Sequence, residues 1–182
     1  MRMSRPQVAS AVAVMAVALV VTPARVDAQE LTLLGYKASP PAAWTVVKTT
    51  SSMRLAQFVV GPAGTQDAAE IVVYFFGTGQ GGNVAANLDR WREQFTNPGA
   101  APAVEKVARD SSGAFPLTVA EYQGTYRRGI GAGSADSARA GQTLVAAIVE
   151  TPHGTMFIQL FGPTARVGNA RPAFTAFVKG IR

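Results

Sequence analysis

The sequence contains no cysteine and a single histidine, His153. Without cysteine, the chain cannot form a disulfide, a thiolate metal site or a lipid-bearing cysteine. The acidic residues are dispersed and show neither zinc nor calcium ligand spacing. The sequence therefore indicates no metal site and no cofactor, and the folded protein has to be stabilised by packing alone.

Acidic residues are few, with 11 Asp and Glu against 17 Lys and Arg, which gives a formal net charge of +6. The basic residues form no stripe, so nucleic acid is not expected as a partner. The positive charge instead suits a small anionic ligand. It also suits an anionic surface, such as a phospholipid headgroup layer, that the protein would contact peripherally.

Long apolar runs are absent except near the start of the chain. There, Arg2 and Arg5 precede an uncharged, mostly apolar run over residues 8–21, and a small-residue site ends at Ala28. This order is typical of a secretory signal peptide. The run is shorter than the roughly 20 residues that span a bilayer, which disfavours the alternative of an uncleaved membrane anchor. We expect cleavage after Ala28, a bacterial periplasmic or secreted location, and no transmembrane segment in residues 29–182.

The rest of the chain alternates between strand and helix patterns. Strands are predicted over 44–47, 53–60, 70–76, 104–108, 117–126, 143–150 and 155–162. A helical stripe begins after Asn83, with Val84, Leu88, Trp91 and Phe95, and a second helix follows Pro163. Short turns between consecutive strands favour antiparallel pairing. The sequence predicts a single α+β domain over 29–182: an antiparallel sheet of about six to seven strands flanked by two main helices that share one face or cover both.

The order of these elements resembles the PsbP-like fold, named for an extrinsic subunit of the photosynthetic oxygen-evolving complex. The ending resembles it too, with the strand TMFIQLFG, the turn PTARVGNARP and the amphipathic helix AFTAFVKGIR. The resemblance implies an α/β/α sandwich, in a family whose members mostly act as non-catalytic assembly or binding partners. It implies no functional residue, and this chain departs from it by a long Gly/Ala/Ser-rich insertion and a Gly-rich turn.

That turn carries the motif G-x-G-x-x-G at Gly77, Gly79 and Gly82, between a predicted strand and a predicted helix. Such glycines allow a pyrophosphate to approach a helix N-terminus in dinucleotide-binding folds. That fold also needs a parallel strand and an acidic residue about 20 residues further on. Glu105 follows Gly82 by 23 residues but lies within an antiparallel pattern. The motif is therefore interpreted as a structural turn, with a site for a small anion or polar ligand as the alternative.

Candidate ligand-binding residues follow from that alternative. They are the turn itself and two residues off the apolar stripe of the helix that follows: Gly77, Gly79, Gly81, Gly82, Asn83, Asn87 and Arg90. Asn87 and Arg90 either flank a ligand at the helix N-terminus or belong to a plain solvated face. Arg127 and Arg128 adjoin the Gly/Ala/Ser-rich loop over 127–142, which we expect to be mobile, and are candidates for contact with a partner.

No residue is predicted to be catalytic. His153 lies in the turn TPHG, and a triad would need a nucleophile and an orienting acid beside it. Asp110, Ser111 and Ser112 are adjacent residues of a polar turn. The sequence favours an exported, non-catalytic binding or scaffold protein of the bacterial envelope, with an unidentified protein partner or a small anionic ligand. The alternatives are a small histidine-dependent hydrolase, and an anion or phosphate binder that uses the turn at 77–83.

Overall fold

The computed structural model describes residues 30–96, 104–111, 113–127 and 138–182, so the predicted signal peptide lies outside the described residues. Ten strands and two helices follow one another along the described part of the chain. In order they are β1 Leu31–Leu33, β2 Tyr36–Ala38, β3 Thr45–Val46, β4 Arg54–Val60, β5 Ala69–Tyr74, α1 Val84–Glu93, β6 Phe95–Thr96, β7 Val104–Asp110, β8 Leu117–Tyr126, β9 Arg139–Thr151, β10 Gly154–Pro163 and α2 Thr164–Lys179.

Eight strands form one antiparallel sheet in the order β3-β4-β5-β10-β9-β8, and both β6 and β7 pair with the remaining edge of β8. The predicted α+β class and antiparallel sheet are confirmed, and each of the predicted strands is present. The predicted number of six to seven strands was too low. The sheet also contains β6, and β1 and β2 form a separate antiparallel pair. These three strands have only two or three residues each, too few to show alternation in the sequence.

The helix α1 ends two residues before Phe95, the last residue of the predicted helical stripe. The helical stripe included Phe95, but α1 ends at Glu93, and the backbone N–H of Gln94 donates to the carbonyl of Trp91 at 3.2 Å. Phe95 then pairs with Tyr126 of β8. Phe95 is buried, as an apolar residue is expected to be in a helix or in a strand. The apolar pattern alone therefore did not distinguish a helical from an extended backbone at this position.

The two helices cover opposite faces of the sheet, which is one of the two predicted arrangements. Side chains alternate along β9, because successive residues of a strand point to opposite faces. Val145, Ala147 and Val149 pack with α2 in one cluster, whereas Leu144, Ala146 and Ile148 pack with Trp91 of α1 in the other. The architecture is therefore an α/β/α sandwich.

The face under α1 is only partly covered. With ten residues, α1 is about 15 Å long, and it contacts β8 and β6 at one side of the sheet. On the same face, Phe157 of β10 is buried in the cluster that contains Trp91, but Tyr74 of β5 and Gln159 and Phe161 of β10 are only half-buried. No helix in the described ranges is both long and apolar enough to cross a bilayer.

Tyr122 fixes α1 to the sheet. Its side chain is fully buried under the helix, and its hydroxyl donates to the carbonyl of Leu88 at 3.0 Å. Burial of the phenol, together with the nearby Glu105 carboxylate, raises the pKa of Tyr122 to about 12. The neutral phenol is therefore the form that the folded protein requires.

We expect this pKa to make stability fall at alkaline pH. The unfolded chain loses the Tyr122 proton near pH 10 and the folded chain near pH 12. The contribution of Tyr122 to the free energy of unfolding is therefore complete below pH 10 and is lost as the pH rises from 10 to 12. A rise of the pKa from 10 to about 12 corresponds to about 3 kcal/mol in the free energy of unfolding, and about 2 kcal/mol of it is lost by pH 12. Urea denaturation between pH 8 and 12 should show the wild type losing this amount relative to Tyr122→Phe. Parallel curves for the two proteins would contradict the prediction.

Candidate functional site

The glycine turn before α1 requires glycine for its backbone. Gly77, Gly79, Gly81 and Gly82 all have positive φ angles, of 105°, 71°, 93° and 81°. This left-handed region is accessible to glycine at little cost. The carbonyl of Gly77 accepts the backbone N–H of Gln80 at 3.0 Å, which closes the first part of the turn.

Two asparagines attach this turn to the helix. Asn83 is the N-cap of α1, and its Oδ1 accepts the backbone N–H of Ala86 at 2.8 Å. Asn87 is completely buried, and its Nδ2 donates to the carbonyls of Gly81 at 2.8 Å and Asn83 at 2.9 Å. The Nη2 of Arg90 donates to Asn87 Oδ1. Asn87 therefore does not belong to a solvated face: its amide joins the turn, the helix and Arg90.

These contacts give the turn a structural role. The side-chain cap of Asn83 and the buried amide of Asn87 are both occupied within the protein. Binding of a ligand by the glycines themselves stays a prediction. Arg90, in contrast, lines a groove on the uncovered part of the sheet.

This groove, which we call the basic groove, lies between α1 and the uncovered parts of β4, β5 and β10. It encloses about 430 Å³ and is lined by Arg54, Glu70, Val72, Tyr74, Phe76, Arg90, Trp91, Gln94, Tyr126, Arg139, Leu144, Phe157, Gln159 and Phe161. Three of the lining residues are arginines and one is a carboxylate. A cleft of this size can enclose a small-molecule ligand.

Arg54 is held in the groove by polar and aromatic contacts. Its Nη1 donates to Gln57 Oε1 at 2.7 Å, and Gln57 Nε2 donates to Glu70 Oε1. Nη1 lies 3.9 Å from Glu70 Oε1, and the guanidinium carbon lies 5.6 Å from the centre of the Tyr74 ring. Because Arg54 shares one face of its strand with Ala56 and Phe58, the sequence predicts that its guanidinium reaches an edge or pairs with an acid. In the structure it is half-buried and near an acid that Gln57 already contacts.

Arg90 and Arg139 supply the other positive charges. Neither forms an ion pair with a carboxylate in the described parts of the chain, and the hydrogen bond of Arg90 to neutral Asn87 leaves its charge uncompensated. Arg139 begins β9 at the end of the Gly/Ala/Ser-rich segment and lies opposite Tyr126 of β8. Sequence reasoning missed Arg139 because it assigned the whole segment to a loop.

The predicted partner contact at Arg127 and Arg128 falls at the boundary of the described residues. Arg127 is exposed, and its backbone N–H donates to the carbonyl of Gln94 at 2.7 Å. Arg128 and residues 129–137 of the predicted loop lie outside the described residues. Arg127 is not among the described residues that line the basic groove.

His153 contacts the ribbon formed by β1 and β2. Its Nδ1 lies 2.7 Å from the carbonyl oxygen of Leu34, and its ring lies 4.9 Å from that of Tyr36. Because a carbonyl only accepts, Nδ1 carries the proton in this contact. Among the described residues, no serine or carboxylate forms a hydrogen bond with the ring, and no group of three His, Asp or Glu side chains has metal-binding geometry.

Comparison of the sequence with protein-family models and with curated proteins gives no match. Among solved structures, PsbP (CyanoP) of the cyanobacterium Synechocystis is 11% identical over 90% of this chain and 98% of its own, with a TM-score of 0.53. LpqN of Mycobacterium tuberculosis, involved in cell envelope biogenesis, is 14% identical over 78% and 79%, with a TM-score of 0.49. A Pseudomonas aeruginosa protein of unknown function is 14% identical over 82% and 92%, with a TM-score of 0.45.

The similarity to CyanoP extends over nearly the whole of both chains. It shows that this protein has a PsbP-like fold, which confirms the resemblance in element order. At this level of identity, the similarity describes the fold alone. The function has to be argued from the side chains of the site itself.

Proposed function

We propose that this chain is an exported, non-catalytic binding protein of the bacterial envelope whose basic groove binds a small anionic ligand. The observation that carries the proposal is the charge of the groove: three arginines against one carboxylate. Hydrogen bonds from a guanidinium to a carboxylate or phosphate are short, strong and often bidentate. An anion bound in the groove would balance the positive charge that the Glu70 carboxylate leaves uncompensated.

Two of the arginines are positioned before any ligand arrives. Arg54 is held by Gln57 and by the face of Tyr74, and Arg90 is held by the buried amide of Asn87. Side chains that are already ordered lose less conformational entropy on binding. The contacts that hold Arg90 on α1 and Arg54 on the sheet therefore favour ligand affinity as well as the stability of the fold.

The chemistry of the groove supports binding rather than catalysis. Glu70 is its only carboxylate, and no histidine, serine or threonine is among its described lining residues. Nucleophilic catalysis needs a nucleophile with a base beside it. The described lining residues that could exchange protons with a substrate are Glu70, Tyr74 and Tyr126, and Glu70 already accepts a hydrogen bond from Gln57. The signal-peptide pattern of the first 28 residues supports export of the protein to the envelope.

The proposal is tested with two probes of the same shape and different charge. Trp91 lines the groove, so its fluorescence should report on occupancy. We expect benzoate to bind roughly tenfold more tightly than neutral benzamide, because a charge-assisted hydrogen bond contributes more than a neutral one. Added sodium chloride should weaken benzoate binding and leave benzamide unaffected.

Variants at two groove arginines and at a control arginine on α1 locate the site. Arg90→Gln and Arg139→Gln should each lower benzoate affinity about tenfold. Arg92→Gln is the control, because Arg92 is on α1 but is paired with Glu105 and Asp89 outside the groove. Equal affinities for benzoate and benzamide, or an equal loss in all three variants, would contradict the proposal.

A further inference from the structure

The floor of the basic groove includes polar side chains whose hydrogen-bonding groups are unused. Gln159 lies in the middle of β10, on the face that also presents Phe157 and Phe161, and is half-buried. Gln94 lines the groove from the end of α1 and is also half-buried. Neither side-chain amide forms a hydrogen bond with another described residue. Each amide offers two donor hydrogens and one carbonyl acceptor.

From these groups and the charge of the groove, we infer that its ligand is an anionic saccharide, an inference that rests on the proposed function. An apolar ligand would cover the free amides without satisfying them, and a polar group that loses water without gaining a partner lowers affinity. Sugar hydroxyls both donate and accept, so they can satisfy the amides of Gln94 and Gln159 together with the Glu70 carboxylate.

The aromatic residues of the groove suit the apolar face of a sugar ring. Tyr74 and Phe76 are stacked, with ring centres 5.9 Å apart and planes inclined by 5°. Tyr126 and Phe161 form a second pair, with centres 4.5 Å apart. Flat, rigid rings provide contact area at a low cost in side-chain entropy. The volume of about 430 Å³ accommodates a ligand of the size of a disaccharide.

The acidic substituent of the saccharide would bind the arginines. Arg90 and Arg139 lack carboxylate partners among the described residues, and their guanidinium groups bind a carboxylate or a phosphate ester equally well in geometric terms. The shared chemistry of the ligand is therefore a sugar ring that carries a negative charge. A uronate and a sugar phosphate are the two sources of that charge.

Calorimetric titration of the purified full chain tests the inference with named probes. The hyaluronan disaccharide, which contains glucuronate, is compared with the neutral N,N′-diacetylchitobiose, and glucose 6-phosphate is compared with glucose. We expect at least one acidic sugar to bind roughly tenfold or more tightly than its neutral counterpart. A preference within the uronate pair or within the phosphate pair identifies the source of the charge.

Variants then separate sugar recognition from anion recognition. Gln159→Met, similar in size but unable to hydrogen-bond, should weaken the acidic sugar roughly tenfold and weaken benzoate much less, because the benzoate ring makes no hydrogen bond to the amide. Gln142→Met, on the neighbouring strand outside the groove lining, should change neither. Binding of benzoate without binding of either acidic sugar would overturn the saccharide while the anion site stands. Failure of benzoate and both acidic sugars would overturn the saccharide and the proposed function together.

Discussion

Gly81→Ala should lower the free energy of unfolding by about 3 kcal/mol, because a side chain at this position has no space. A Cβ built on Gly81 lies 2.7 Å from a ring carbon of Phe157 and 2.9 Å from one of Phe76. Both contacts are shorter than Cβ atoms adopt in real proteins, so the turn or the two rings would have to shift. The φ of +93° adds the cost of a left-handed conformation.

Gly79→Ala is the matched control for this prediction. Gly79 belongs to the same turn and has a φ of +71°, but a Cβ there would meet nothing within 4 Å. We expect it to cost about 1 kcal/mol, which is the backbone contribution alone. Urea denaturation of both variants measures the difference. Equal losses at Gly79 and Gly81 would show that only the backbone conformation matters and that contact with the rings does not.

The difference between Gly79 and Gly81 also explains why the glycine motif fits both a structural turn and a ligand-binding turn. A ligand-binding turn and a structural turn both need positive φ angles, so the glycine spacing alone cannot separate them. The close approach of Gly81 to Phe76 and Phe157 is what indicates a structural role. Those rings are far apart in the sequence, and the pairing of β5 with β10 brings them together.

The fold was largely predictable because its longer elements carry strong periodic patterns. The strand patterns over 53–60 and 70–76 and the helical stripe at Val84, Leu88 and Trp91 each indicated their element correctly. The prediction for β5 was incomplete in one respect. Residues 71–76 are apolar on both faces of the strand, which predicts that both faces are covered. Tyr74, however, is only half-buried and faces the basic groove.

The groove itself was not predictable from local patterns. Arg54, Arg90 and Arg139 lie on a strand, a helix and another strand, and they line one cavity only because the sheet order is not sequential. Gln159 gave no signal either, since one polar residue in an apolar strand is common at a solvent-exposed position. Sequence spacing did find Arg90, but it associated this arginine with the glycine turn instead of the sheet.

Asn87→Ala should also lower the free energy of unfolding by about 3 kcal/mol, and it should lower the affinity of the basic groove for benzoate. The substitution removes two donated hydrogen bonds and leaves the Gly81 and Asn83 carbonyls without their side-chain partner. It also leaves a cavity at a completely buried position. Because Arg90 loses its contact with the Asn87 amide, benzoate affinity should fall about threefold to tenfold.

Asn83→Ala separates the two consequences of the Asn87 substitution. It removes the N-cap hydrogen bond to Ala86 and should cost about 1 kcal/mol, but it leaves the contact between Asn87 and Arg90 in place. Benzoate affinity should therefore be unchanged in Asn83→Ala and reduced in Asn87→Ala. If both variants lost stability and kept full affinity, Arg90 would not depend on Asn87 for its position. In that case the buried amide would stabilise the turn and the helix without contributing to the binding site.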